Sequence, residues 1–186
     1  ADAVDDEESI ATEAYWLSQF AESIPLVDLP TDRPRAPLRT FNSAREDWDL
    51  SPILVSSLKQ LGTKFGCSFM TTLLSGFEVW LYRLTGQDEL VVGVLAAGQA
   101  ASELHNLVGH CVNMLPLRSR VDGKSSFSEY LQTRRSAVLD AYDHQQFTFG
   151  SLVQKLAIPR DASRIPLAPV LLNIDRSLDT SQLPFD

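Results

Sequence analysis

Glu89-Leu-Val-Val-Gly-Val-Leu95 decides the fold. After Glu89 it is apolar without interruption and rich in valine, the pattern of a strand covered on both faces. Such a strand needs helices above and below it, and the flanking sequence offers them. Upstream, Ser51-Pro52 is a helix start, with Ser as N-cap and Pro at the first helical position. Ile53, Leu54, Leu58, Leu61 and Phe65 then recur on one face, and Gly66 ends the helix. Ser68 caps a second helix running to about Leu84, with Phe69, Leu73, Phe77, Trp80, Leu81 and Leu84 in register. Leu74 and Val79 lie on its other face, so burial on most sides is expected. Thr85-Gly-Gln-Asp88 is a turn into the strand.

Downstream, Ala96–Ser102 reads as a small-residue loop and Val108–Val121 as a second long strand. Asp122-Gly123 turns the chain. Ser126 caps a helix through about Tyr142, with Phe127, Leu131, Val138 and Ala141 facing inward. A short helix, Phe149–Leu156, and a third strand, Leu167–Ile174, follow, and the tail from Asp175 has little pattern. Helices alternating with apolar strands imply an α/β (α+β sandwich) domain, a mixed sheet covered by helices, with strand order left open.

The ends add less. Tyr15, Trp16, Gln19 and Phe20 mix aromatic and polar positions at helical spacing, so Ser9–Ser23 reads as a helix stopped by Pro25. Asp2, Asp5, Asp6, Glu7 and Glu8 before it read as a solvated, frayed terminus. Pro25, Pro30, Pro34 and Pro37 make the next stretch an ordered-coil connector. Residues 1–37 are thus a helix and connector within a single domain spanning 1–186. Thr40–Leu50 alternates loosely and reads as a strand.

Composition bounds the function. The 186 residues carry a formal net charge of −8, which argues against nucleic acid as a partner, since phosphate binding needs clustered positive charge. No apolar run approaches a membrane span, the longest being stretches such as Leu90–Ala97. The acidic start lacks the basic-then-apolar order of a signal peptide. Cys67 and Cys111 stand alone, which suits a reducing cytoplasm and supplies neither a disulfide framework nor a zinc site.

Motif chemistry is sparse. There is no phosphate-binding Gly-rich loop, no GxSxG elbow and no HExxH. His105 and His110 are five apart, which places them on one face of neither a helix nor a strand. With His144, they read as surface or hydrogen-bonded histidines rather than metal ligands. His110, on a strand beside Asn113, is the best internal candidate for a base. Arg160-Asp-Ala-Ser-Arg-Ile-Pro-Leu167 sets two arginines around an acid and a serine just before a strand. Asp161 is placed to pair with Arg164 or to cap a turn, a clamp at the start of the strand rather than catalytic machinery.

Three of these segments carry a family resemblance. Val108-Gly-His-Cys-Val-Asn-Met-Leu-Pro-Leu-Arg118 resembles the fifth core motif of nonribosomal peptide synthetase condensation domains, matching at Val108, Gly109, Val112, Asn113 and Arg118 and departing at Cys111 and Met114. His144-Gln-Gln-Phe-Thr-Phe149 resembles the sixth motif, through His144, Gln145 and Phe149. Arg160–Leu167, with Arg160, Asp161, Ser163 and Arg164, is similar to the seventh except at Ile165. Leu29-Pro-Thr-Asp-Arg-Pro34 and Leu84-Thr-Gly-Gln-Asp88 also read as landmarks of that family.

The resemblance implies a chloramphenicol acetyltransferase-like lobe, one of two that enclose a substrate tunnel. It implies an acyltransferase-like enzyme that joins aminoacyl or peptidyl thioesters carried on the phosphopantetheine arms of carrier proteins, with no cofactor bound directly. Partners would be those carrier proteins and a first lobe bearing the catalytic His-His-x-x-x-Asp-Gly motif. No adjacent histidine pair occurs in this chain. The expectation is therefore a central and C-terminal lobe fragment with no catalytic residue of its own, inactive alone. Asn113, His110 and Met114 are expected at the tunnel. Gly109, Arg118, His144, Gln145, Arg160, Asp161, Ser163 and Arg164 are expected to be structural. Two other readings stay open: a non-catalytic module binding carrier protein or pairing with the other lobe, and a lobe of an epimerisation or heterocyclisation domain.

Overall fold

A computed structural model describes residues 2–97 and 111–175, with the side chains of 2–6 left aside. The elements are α1 (Asp2–Gln19), α2 (Pro52–Lys64), α3 (Phe69–Thr85), β1 (Glu89–Ala97), β2 (Val112–Arg120), α4 (Phe127–Asp143), α5 (Phe149–Lys155) and β3 (Val170–Leu172). The sheet order is β2-β1-β3. β1 pairs antiparallel with β2, Glu89 opposite Arg120 through Ala97 opposite Val112, and parallel with β3. The mixed sheet and the central place of β1 are as the apolar run implies. Leu90, Val91 and Val92 have no exposed surface, and Leu74, Leu115, Leu131, Ala141 and Trp16 complete the core around them.

The caps behave as the sequence demands. Ser51, Ser68, Ser126 and Thr148 each accept a hydrogen bond from a backbone N–H of the first turn of their helix. Ser126 and Glu129 form a reciprocal capping box. Gly86 closes α3 with a left-handed φ of 72°. Gly93, at the centre of β1, lets two layers meet: a Cβ there would lie 2.9 Å from the sulfur of Met114 and closer still to Leu171.

Several expectations are corrected. The acidic run is helical, since α1 starts at Asp2 and acids suit the positive end of the helix dipole. α1 also stops before Pro25, because Arg118 takes the carbonyl oxygens of Gln19 and Ser23. Thr40–Leu50 is not a strand; both edges of β1 are already paired, and extended backbone without a partner gains no ladder. The third strand shrinks to Val170–Leu172, because Leu167 has a left-handed φ of 62° and Pro169 offers no N–H.

The helix stripes differ most. In α2 only Gly62 is buried, while Ile53 is 79% exposed. In α3 the deepest face is Thr71, Thr72, Leu74, Ser75, Glu78 and Leu81, and Trp80 and Leu84 of the expected stripe are exposed. Phe127 of α4 is likewise exposed rather than inward. The loop over 96–102 starts later, since Ala96 and Ala97 belong to β1, and the remainder lies outside the described residues, as do 108–110 of the expected second strand. No helix among the described residues is long and apolar enough to cross a membrane.

Candidate functional site

Asn113 sits near the start of β2, and its side chain is fully bonded. Nδ2 donates to the carbonyl oxygens of Gln145 at 2.8 Å and Phe147 at 2.9 Å. Oδ1 accepts from the backbone N–H of Met114 at 3.0 Å and of Phe149 at 3.1 Å. One amide therefore pins the whole of loop 144–149 to the sheet, from the end of α4 to the first residue of α5. Only Asn, or Gln with a longer reach, offers two donors and two acceptor lone pairs to do this. Met114 lies next along β2, over Gly93.

The loop is held from its other side by α1. The Tyr15 ring stacks on the His144 ring, centroids 4.1 Å apart and planes at 9°. Trp16 Nε1 donates to the His144 carbonyl at 2.8 Å. His144 itself ends α4, with Nδ1 2.7 Å from the Asp140 carbonyl. Gln145 Nε2 donates to the Tyr142 carbonyl. Burial first, and then the Asp140 carboxylate, push the Tyr15 phenol up to about 12, so it stays neutral at any working pH.

Arg118, further along β2, binds four groups. Nη1 donates to the carbonyls of Gln19 and Ser23, and Nη2 to Ser23 Oγ and, at 3.0 Å, to Glu89. Beneath it lies a buried pair that the sequence reading missed. Arg134 grips Glu78 with Nε and Nη2, both at 2.9 Å, and donates through Nη1 to the Arg118 carbonyl. Tyr130 donates its hydroxyl to the same carboxylate at 2.7 Å. Burial pushes the Glu78 carboxyl up, against the pull of Arg134 and Tyr130. One signal was available: Glu78 is the sole charge between Phe69 and Tyr82.

The Arg160–Leu167 turn forms a separate cluster. Asp161 accepts from the Ser163 backbone N–H at 2.8 Å and lies 3.7 Å from Arg164. Arg164 also pairs with Asp28 at 2.7 Å, tying the turn to the connector beside Leu29-Pro-Thr. Arg160 is exposed at the edge of a cleft of about 800 Å³ lined also by Gly150, Val153 and Pro166. No hydrogen bond joins this cluster to Asn113 among the described residues. His110 and Gly109 lie outside the described residues. Among the described residues there is no cluster of metal-ligating side chains.

Comparison with known proteins follows the same outline. The family model of the condensation domain matches residues 3–183. Gramicidin S synthase 2 of Brevibacillus brevis is 37% identical over 175 residues, which are 92% of this chain and 4% of that protein. Tyrocidine synthase 2 of Brevibacillus parabrevis is 39% identical over 155 residues, 83% of this chain and 4% of that protein. The chain therefore spans a small part of these relatives. A four-domain nonribosomal peptide synthetase bound to AMP and glycine superposes with a TM-score of 0.86 at 22% identity, covering 94% of this chain and 14% of that one. The X-domain from teicoplanin biosynthesis gives 0.80 at 20% identity, covering 88% of this chain and 36% of that one. The two superpositions show a shared fold.

Proposed function

This chain belongs to the condensation-domain family, and from that we propose that it is the central and C-terminal lobe of a domain that forms peptide bonds between carrier-tethered thioesters. The amine of the acceptor attacks the thioester carbonyl of the donor. A C–N bond forms, the C–S bond breaks, and the donor arm leaves as a thiol that takes up the amine proton. Both substrates arrive on phosphopantetheine arms of carrier proteins, so holding them in register converts an encounter into a near-unimolecular step.

In this reading the lobe is a wall and not the source of the base. The observation that carries it is the Asn113 node, which joins two of the three motif segments into one rigid surface. Asn113 and Met114 line the tunnel on that surface, and His110, expected beside them, lies outside the described residues. Asn113 spends its side-chain bonds on loop 144–149, so it shapes the tunnel, and contact with a pantetheine amide would require exchanging one of those bonds. The residues 1–186 act as one partial domain, and a histidine-bearing lobe completes it. Free thiols at Cys67 and Cys111 support a cytoplasmic setting.

The test is reconstitution. Donor and acceptor carrier proteins loaded as aminoacyl thioesters are mixed with the isolated chain, and intact-mass spectrometry follows the acceptor. No dipeptidyl carrier is expected until the histidine-bearing lobe is added. Product from the chain alone overturns the reading.

A second reading, a non-catalytic binding lobe, draws on one observation. Phe41 and Trp48 are 91% and 87% exposed on one irregular strap, beside the open stripe of α2. Apolar groups so exposed mark surfaces that another chain covers.

A further inference from the structure

We propose that Tyr15 is a positioning residue for condensation: stacked on His144, its ring fixes loop 144–149 and, through it, the tunnel wall at Asn113. This rests on the tunnel-wall reading above and extends it to a helix that reading does not use.

The contacts form a closed ring with three sides. β2 holds the loop through Asn113, whose amide bonds Gln145, Phe147 and Phe149. β2 also holds the C-terminal end of α1, through Arg118 on Gln19 and Ser23. α1 closes the third side through Tyr15 and Trp16 on His144. Remove one side and a loop with no regular structure between His144 and Thr148 is held from one direction only. A wall displaced by about 1 Å is enough to cost a large factor in rate, because tethered substrates react only when aligned.

The ring of Tyr15, not its hydroxyl, does this work. The phenol stays protonated and has no hydrogen-bond partner among the described residues, so it neither moves a proton nor anchors the loop by a polar contact. Near-parallel stacking at 4.1 Å fixes both the height and the tilt of His144. Trp16 Nε1 fixes the backbone of the same residue. Both are specified on one turn of one helix.

The experiment uses the complete domain with loaded donor and acceptor carriers. Tyr15→Leu should lower kcat about tenfold or more, with the acceptor-carrier KM and the thermal midpoint little changed. Tyr15→Phe should restore the rate. In a double-mutant cycle, Tyr15→Leu should cost less than about twofold on an Asn113→Ala background, because both act through one loop. Should Tyr15→Leu fail to fold, His144→Ala removes the other ring of the stack while keeping the backbone carbonyl that Trp16 bonds, and the same cycle is read with it. Equal rates for Tyr15→Leu and Tyr15→Phe, or fully additive losses, overturn the proposal. An Asn113→Ala domain of normal rate sinks the tunnel-wall reading as well; a slow Asn113→Ala beside a normal Tyr15→Leu sinks this proposal alone.

Discussion

The seam between α3 and α4 and the strap over residues 38–54 invert the usual rule. The seam buries charge: Glu78 is 0% and Arg134 3% exposed. The strap exposes aromatics, Phe41 and Trp48 among them. Hydropathy alone would place each where the other is. The difference lies in what holds them. The seam has a two-pronged ion pair, a tyrosine hydroxyl and a link to the Arg118 carbonyl. The strap is tied to the body by a backbone bond from Arg39 to Ala162. At these two places burial follows saturated hydrogen bonding rather than apolar character, within a core that is otherwise apolar.

The largest effect should come from breaking the seam. Arg134→Met leaves the Glu78 carboxyl buried with Tyr130 alone, and should cost about 3–5 kcal/mol of stability. Glu78→Leu combined with Arg134→Met removes both charges and should cost much less. Denaturant unfolding of the complete domain measures both. A single-variant loss under about 1 kcal/mol would mean that packing, and not the pair, holds the seam.

The same contrast explains what the sequence made legible. The caps at Ser51, Ser68 and Ser126 and the central strand were readable because each depends on residues within a few positions. The apolar stripe of α3 was not, because Phe77, Trp80 and Leu84 repeat as well as Leu74 and Leu81 do, and only long-range partners choose between the faces. Those partners are polar: Glu78 finds Arg134 56 residues away. Leu167 hid the late start of the third strand, since a left-handed leucine has no sequence signature. In the site, the motif residues Asn113, His144 and Gln145 were singled out, and the structure brings them together. Tyr15 and Trp16 were read only as helix residues, because stacking on His144 across 129 positions leaves no local trace.

The strap offers the converse test. Trp48→Ser should change the stability of this chain by no more than about 0.5 kcal/mol, since little native contact is lost. It should also reduce self-association in light scattering, because an exposed aromatic is removed. A loss above about 2 kcal/mol would show the strap packed in solution and erase the contrast with the seam.

The smallest effect sits at the turn that carries the backbone anchor of the strap. Ser163, by its hydroxyl and then its backbone N–H, with Arg164 and Arg35 further off, holds the Asp161 carboxyl below its ordinary 3.8. A carboxyl with a lowered folded value contributes stability that is complete above the ordinary value and is lost as pH falls through the folded one. Asp161→Asn keeps an acceptor for the Ser163 N–H but removes the charge. The variant should therefore melt slightly below the wild type at about pH 6, and the gap should close as pH falls below the ordinary carboxylate range and the wild-type carboxyl gains its proton. The group is fully exposed, so solvent screens the effect and added salt should shrink it further. A gap that persists unchanged at the acid end would assign the role of Asp161 to turn geometry and leave its charge with none. The strap would then be anchored by backbone alone, which widens its difference from the seam.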